Sequence, residues 1–150
     1  MENKLSTGIT GIAGEYFVAG ELSLRGFMAS VTLRNNESID IHASKLEEGD
    51  KLFAIQVKST KKQNRKWPLN KKVETISSNS FFYIFVTLKG LNERPDYFIV
   101  PSTILSRRIK AQHEKWMKTP GKKGQAHNET DMRQFEDKDG EFLERWDFLK

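Results

Sequence analysis

The chain reads as one α/β domain with a central mixed β-sheet flanked by helices. Three observations predict this. Residues 7–25 carry a helix-spaced apolar set that stops at Gly26. Extended apolar or alternating runs follow at 27–33, 38–44, 51–60, 81–88 and 96–101. A second helical pattern then opens at Pro101-Ser102. Helices at both ends of a strand-rich middle make one layered unit, and 150 residues without an internal repeat or a low-complexity linker fit a single domain, 1–150.

Each element has its local reason. Ser6 or Thr7 is placed to cap the helix GITGIAGEYFVAGELSLR, whose stripe is Ile12, Phe17, Val18, Leu22 and Leu24. Gly11, Gly14 and Gly20 inside it each cost ~1 kcal/mol against alanine, which predicts that another backbone packs close. FMASVTL, SIDIHAS and KLFAIQVKST are three strands, the last two joined by an EEGD turn at 47–50. FFYIFVTL (81–88) is apolar throughout, as in a strand buried on both faces. DYFIVP (96–101) is the fifth strand. Ser102 is the expected cap of STILSRRIKAQHEKWM. LNKKVETISS (69–78) has room for two or three helical turns, TPGKKGQAHNET is a loop, and EFLERWDFL is a short helix that packs its aromatics inward.

Composition removes several functions. No cysteine is present, so disulfides, thiolate zinc sites and cysteine nucleophiles are excluded together. No apolar run approaches the ~20 residues that cross a bilayer, and MENKLSTG lacks the apolar core of a secretion signal, so a soluble cytoplasmic protein is expected. The net charge of +5 favours polyanionic partners. Its distribution says more: KSTKKQNRKWPLNKK (58–72) contains no acid, while acids gather in EEGD and in the tail from Glu129 to Asp147.

Two strands carry an unusual polar set. Side chains at i and i+2 of a strand face the same way. In SIDIHAS, Ile39 and Ile41 share one face, Asp40 and His42 the other; in FAIQVKS, Ile55 and Val57 oppose Gln56 and Lys58. Pairing through the EEGD turn brings Asp40, Gln56 and Lys58 onto one surface. A hard cation such as Mg²⁺ takes oxygen ligands and keeps several waters. Asp40 offers a carboxylate, Gln56 an amide oxygen and Val57 a backbone carbonyl, with Lys58 beside them for a water or a phosphate. Glu15 on the first helix is a further acid within reach. The plain alternative is a half-exposed strand pair whose polar residues face solvent.

Glu15 in a first helix, Asp40 in a strand and Gln56-Val57-Lys58 in the next resemble the PD-(D/E)xK nuclease superfamily, the restriction-endonuclease-like fold that also includes Holliday-junction resolvases. The resemblance spans about residues 8–100 and implies an α-β-β-β-α-β core. It implies that Asp40 and Gln56 bind Mg²⁺ or Mn²⁺, that Lys58 assists the attacking water, and that Glu15 supports the site. Ile39 stands where the family has proline, and Gln56 where it has Asp or Glu, which removes one negative charge. The implied activity is a divalent-metal-dependent DNA endonuclease. The alternative is a weakened nuclease-fold module that binds nucleic acid or a protein partner without cutting. A homodimer is a further expectation, since cutting two strands takes two sites.

The basic connector admits two readings. Lys61, Lys62, Arg65, Lys66, Lys71 and Lys72 either contact DNA phosphates, making binding salt-dependent and largely indifferent to sequence, or line a solvated loop. Trp67 either stacks on an unpaired base or tucks onto the core. His113 and His127 read as surface histidines, His42 as an accessory on Asp40's face, and Trp116, Trp146, Phe142 and Phe148 as core. Arg107, Arg108 and Lys110 form a second basic cluster.

Overall fold

The computed structural model describes residues 4–33, 38–45, 47 and 51–150. Helix α1 (Thr7–Leu24) starts where the Ser6 hydroxyl accepts the Ile9 N–H at 3.2 Å, and it ends at Gly26, whose φ of 85° suits a residue without a side chain. Strands β1 (Met28–Val31), β2 (Ile41–Ser44) and β3 (Leu52–Thr60) then form an antiparallel meander. Positions 48–50 of the EEGD turn lie outside the described residues.

The chain next makes β4 (Lys66–Asn70) and a single 3-10 turn, Lys71–Glu74. It re-enters the sheet as β5 (Phe81–Thr87), parallel to β3, and turns back as β6 (Asp96–Pro101), antiparallel to β5. The five-stranded order is β1-β2-β3-β5-β6. The parallel pair needs a crossover. A helix was the expected crossover over 69–78, but β4 and the 3-10 turn supply it. β4 instead pairs antiparallel with β7 (Met132–Glu136) in a separate two-stranded ribbon, and helix α2 (Ser102–Lys118) packs beside them.

Both faces of the sheet are covered, so β5 is buried along its whole length. On one face α1 meets Ile41, Ile55, Val57, Phe82 and Ile84. On the other, α2 and the ribbon cover Tyr83, Phe85, Phe98 and Val100. Gly14 explains itself here. A Cβ built on it would lie 1.7 Å from the Ser59 hydroxyl oxygen and 2.8 Å from the Ser59 Cβ, so α1 settles on β3 at that point only as glycine.

Three expectations are corrected. Ser102 is the first residue of α2 rather than its cap; its hydroxyl ties the Ser78 backbone, accepting from N–H at 3.0 Å and donating to C=O at 2.8 Å. The tail is irregular apart from a 3-10 turn, Trp146–Phe148, although Phe142 is buried and Phe148 half-buried as read. Trp116 is not core: it is 39% exposed and stacks on His127 with ring centres 3.9 Å apart. Among the described residues no helix is long and apolar enough to cross a membrane.

Candidate active site where β2 leaves β3

Asp40 sits at a fork in the sheet. The β2–β3 register pairs Ile41 with Ile55, so the preceding residue, Asp40, faces Gln56. Its backbone is held on both sides: its N–H donates to Ile55 C=O at 2.9 Å and its C=O accepts from Thr32 N–H at 2.9 Å. Thr32 adds a hydroxyl bond to Ile39 C=O at 2.7 Å. One residue further on, β3 has lost its backbone partner. The Val57 N–H donates instead to Asp40 Oδ2, at 2.7 Å. The carboxylate therefore continues the ladder that the backbone has abandoned.

That bond also orients Val57. In a strand the N–H and C=O of one residue point to the same side. With its N–H turned to Asp40, Val57 turns its carbonyl toward the same fork, while its side chain goes into the core under α1. A carboxylate and a backbone carbonyl oxygen thus meet where no strand lies between them.

Gln56 and Lys58 leave β3 on the opposite face from Val57. Both are half-buried and line a cleft of about 240 Å³. Its far wall comes from the crossover, with Asn70, Lys72, Val73 and Ile76, and Ser38 borders it on the β2 side. The floor is Tyr83, which stands beside Gln56 in the β3–β5 register and is 1% exposed. Its hydroxyl is buried with no hydrogen-bond partner, as are those of Ser59 and Thr87, but only Tyr83 borders the cleft. Sequence reading missed Tyr83, since an all-apolar run gives no sign of a polar tip, and Asn70, whose strand was not recognised.

Burial pushes the phenols of Tyr83 and Tyr97 up to about 12. The unfolded chain would ionise them near 10. Stability from these two groups is therefore complete below pH 10 and is lost as pH rises from 10 to 12. Urea unfolding across that interval should show a fall on the order of 2 kcal/mol for each phenol, reduced in Tyr83→Phe and Tyr97→Phe. A flat profile would mean that neither ring is shielded.

The remaining expected residues are dispersed. Glu15 is half-buried and follows Gly14, so it stands on the α1 side of β3, across the sheet from Gln56 and Lys58. Of the six connector cations only Lys72 lines the cleft. Lys61 and Lys62 are exposed in the turn after β3. Arg65 folds onto the C-terminal segment, donating to Lys138 C=O at 3.4 Å and lying over the Phe98 ring. Lys66 is exposed opposite Glu136, and Lys71 is exposed and paired with Asp131 at 2.9 Å, a hydrogen bond that raises its ammonium pKa.

Trp67 is 1% exposed, and its indole N–H donates to Val86 C=O at 3.2 Å, so it belongs to the core. His42 is exposed opposite Ala54. His113 is less free than expected, bonding Glu129 at 3.0 Å and stacking on Trp116. Arg108 pairs with Glu141 at 2.6 Å, while Arg107 and Lys110 are exposed.

A solved structure of a bacterial homing endonuclease superposes on this chain with a TM-score of 0.56 at 16% identity, covering 97% of this chain and 92% of that one. The chain has the restriction-endonuclease-like fold. In this fold the central mixed sheet of five strands between helices is the shared frame. The Holliday junction resolvase Hjc of Archaeoglobus fulgidus is also similar, with a TM-score of 0.49, 15% identity, and 85% and 84% of the two chains covered. No protein-family model and no curated protein matches the sequence.

Proposed function

We propose that this chain is a divalent-metal-dependent endonuclease that hydrolyses DNA phosphodiester bonds. The observation that carries the proposal is the fork at Asp40, where a carboxylate and the Val57 carbonyl converge beside a cleft lined by Gln56 and Lys58. The nuclease fold, shared with a homing endonuclease, supports it.

The donor set fits a hard cation. Asp40, Gln56 and Val57 offer oxygen only, and among the described residues no three His, Cys, Asp or Glu side chains cluster as a metal cage. Such a set suits Mg²⁺ or Mn²⁺, which leave several positions to water and substrate phosphate. When bound, the ion acidifies water and offsets charge on the phosphate. The protein's own groups do the rest. The Val57 N–H fixes the rotamer of Asp40. Lys58, with three N–H donors and no acceptor, orients the attacking water or holds a phosphate oxygen. Lys72 on the far wall neutralises a neighbouring phosphate, and Glu15 supports the site from the α1 side.

The test is nicking of supercoiled plasmid and of a branched DNA by purified protein with Mg²⁺, Mn²⁺ or EDTA. Metal-dependent cutting that drops about 10²–10⁴-fold in Lys58→Ala is the expected result. Cutting that survives that change would remove Lys58 from the reaction.

Gln56 favours a second reading, a weakened module that binds nucleic acid without cutting it. A neutral amide in place of a carboxylate lowers the attraction for a dication. Gln56→Glu restores the charge and should tighten Mg²⁺ binding on the order of tenfold by calorimetry. Weaker binding in that variant would take Gln56 out of the ligand set. Salt-sensitive DNA binding without cleavage in wild type and Lys58→Ala alike would favour the second reading.

A further inference from the structure

Helix α2 buries its side chains only as far as Ile109; its last two turns run on past the core. There they meet the ribbon along an open pocket of about 430 Å³, within the ~300–1,000 Å³ of ligand sites. Its walls are Pro68, Ile109, His113, Trp116 and Met132. Trp116 is the odd member. Tryptophan is buried on average, yet this indole is exposed, and the chain props it up instead of covering it. His127 stacks on it at 3.9 Å, and His113 lies one turn back at 5.6 Å. A tight turn delivers His127: the Gly121 N–H donates to Gln125 C=O and the Gly124 N–H to Gly121 C=O, both at 2.8 Å, folding the chain back from the end of α2.

Polar groups at the pocket sort by charge. Gln112, Thr130 and Gln134 line it, and neither glutamine amide has a bonding partner among the described residues. Arg133 also lines it, but this guanidinium is 5% exposed and already held by Glu74 at 2.7 Å and Glu129 at 3.4 Å. The interior therefore offers flat apolar surface and neutral amides. The free charges stand outside. Lys115 and Lys118 bracket Trp116, and Lys122 and Lys123 occupy the turn before His127; all four are exposed without an ion-pair partner among the described residues. Lys115 and Lys118 also suit the dipole at the end of α2, but Lys122 and Lys123 lie beyond it. A flat, neutral group with an anion attached meets both halves of this arrangement. A nucleobase on its phosphate is such a group: bases stack on Trp and His rings, glutamine answers a base edge with one donor and one acceptor, and lysines take the phosphate.

The pocket adjoins the Asp40 cleft. Pro68 borders the one and Asn70 the other. Two residues apart on β4, both exposed, they share a face at a spacing of ~7 Å. Arg133 ties the two further, since its partner Glu74 follows Val73 of the cleft wall. One strand of nucleic acid reaches both openings. A base paired within a duplex has its faces and edge already occupied, so only an unpaired one enters.

We infer that the pocket between α2 and the ribbon holds an unpaired base of a DNA strand whose backbone runs on to the Asp40 cleft. This rests on DNA being the partner, as proposed above, but not on its cleavage. The test is fluorescence anisotropy in EDTA and roughly 50 mM salt with a labelled single strand of about 12 nucleotides. Wild type should bind it more tightly than a paired duplex of equal length. Trp116→Ala should weaken single-strand binding by about tenfold to a hundredfold with an unchanged circular-dichroism spectrum, and Gln134→Ala by about fivefold to tenfold. A strand of the same length made of abasic sites should bind wild type and Trp116→Ala alike, which a purely electrostatic contact would not distinguish from the intact strand. Equal binding of the intact strand by wild type and both variants overturns the inference, even in a protein that cuts DNA. The expected pattern in a protein that never cuts keeps it and sinks the cleavage reading alone. Quenching of Trp116 emission by adenosine monophosphate, in protein that does not hold the oligonucleotide, assigns the pocket to a free nucleotide and overturns the strand.

Discussion

Asp40→Asn is expected to lower metal-dependent DNA cleavage by about three orders of magnitude while leaving the chain folded. The two consequences separate because Asp40 has two tasks on different grounds. Its charge is the only formal negative charge in the Asp40, Gln56 and Val57 donor set, and losing several kcal/mol of charge stabilisation corresponds to roughly a thousandfold in rate. Its Oδ2 is also the acceptor for the Val57 N–H at 2.7 Å. An amide oxygen can still accept that bond. Asp40→Ala removes both, and an unsatisfied N–H costs ~1–3 kcal/mol. Thermal melts of the two variants beside single-turnover cleavage rates should therefore show equal losses of activity and unequal losses of stability. Cleavage by Asp40→Asn within tenfold of wild type would leave the fork as architecture alone.

Trp67→Ala is expected to cost about 3–5 kcal/mol, a large part of the ~5–15 kcal/mol that holds a domain together. The indole sits among Phe98, Phe85 and Phe135 with ring centres 5.0, 5.1 and 5.9 Å away, and it joins β4 to the sheet through Val86 C=O. Urea unfolding should show the midpoint fall sharply. Trp67→Phe keeps most of the buried ring, loses the hydrogen bond, and should cost about 1–2 kcal/mol. A Trp67→Ala chain of normal stability with weakened binding to single-stranded DNA would restore the base-stacking role.

What the sequence revealed depended on whether its pattern was local. α1 announced itself through Ser6 and Gly26, and β5 through an unbroken apolar run. The Asp40–Gln56 pairing followed from two alternating strands joined by a short turn. β4 stayed hidden because KWPLN holds a proline and stands among lysines, both marks of a loop. The ribbon tolerates Pro68 because a two-stranded pair leaves one edge of β4 without bonds to make. β7 contributes one buried side chain, Phe135, too little for a periodic signal. The mistake over Ser102 has the same origin: its partner, Ser78, is 24 positions away in sequence. The sense of Lys71 was equally remote, fixed by Asp131 across the ribbon.

The ribbon has a consequence in time. The far wall of the cleft, from Asn70 to Ile76, hangs on β4, and β4 is fastened by β7, with Lys66 across from Glu136. Seventy residues of chain separate those two positions (136 minus 66). A ribosome working at about 5–20 residues per second needs roughly 4–14 s to make them. Throughout that interval the Asp40 fork can already exist, because β1, β2 and β3 are complete, yet the wall that carries Lys72 has no anchor. A nascent chain thus completes the strands of the Asp40 fork before it completes the wall that faces them, and the cleft closes only when the second sheet does.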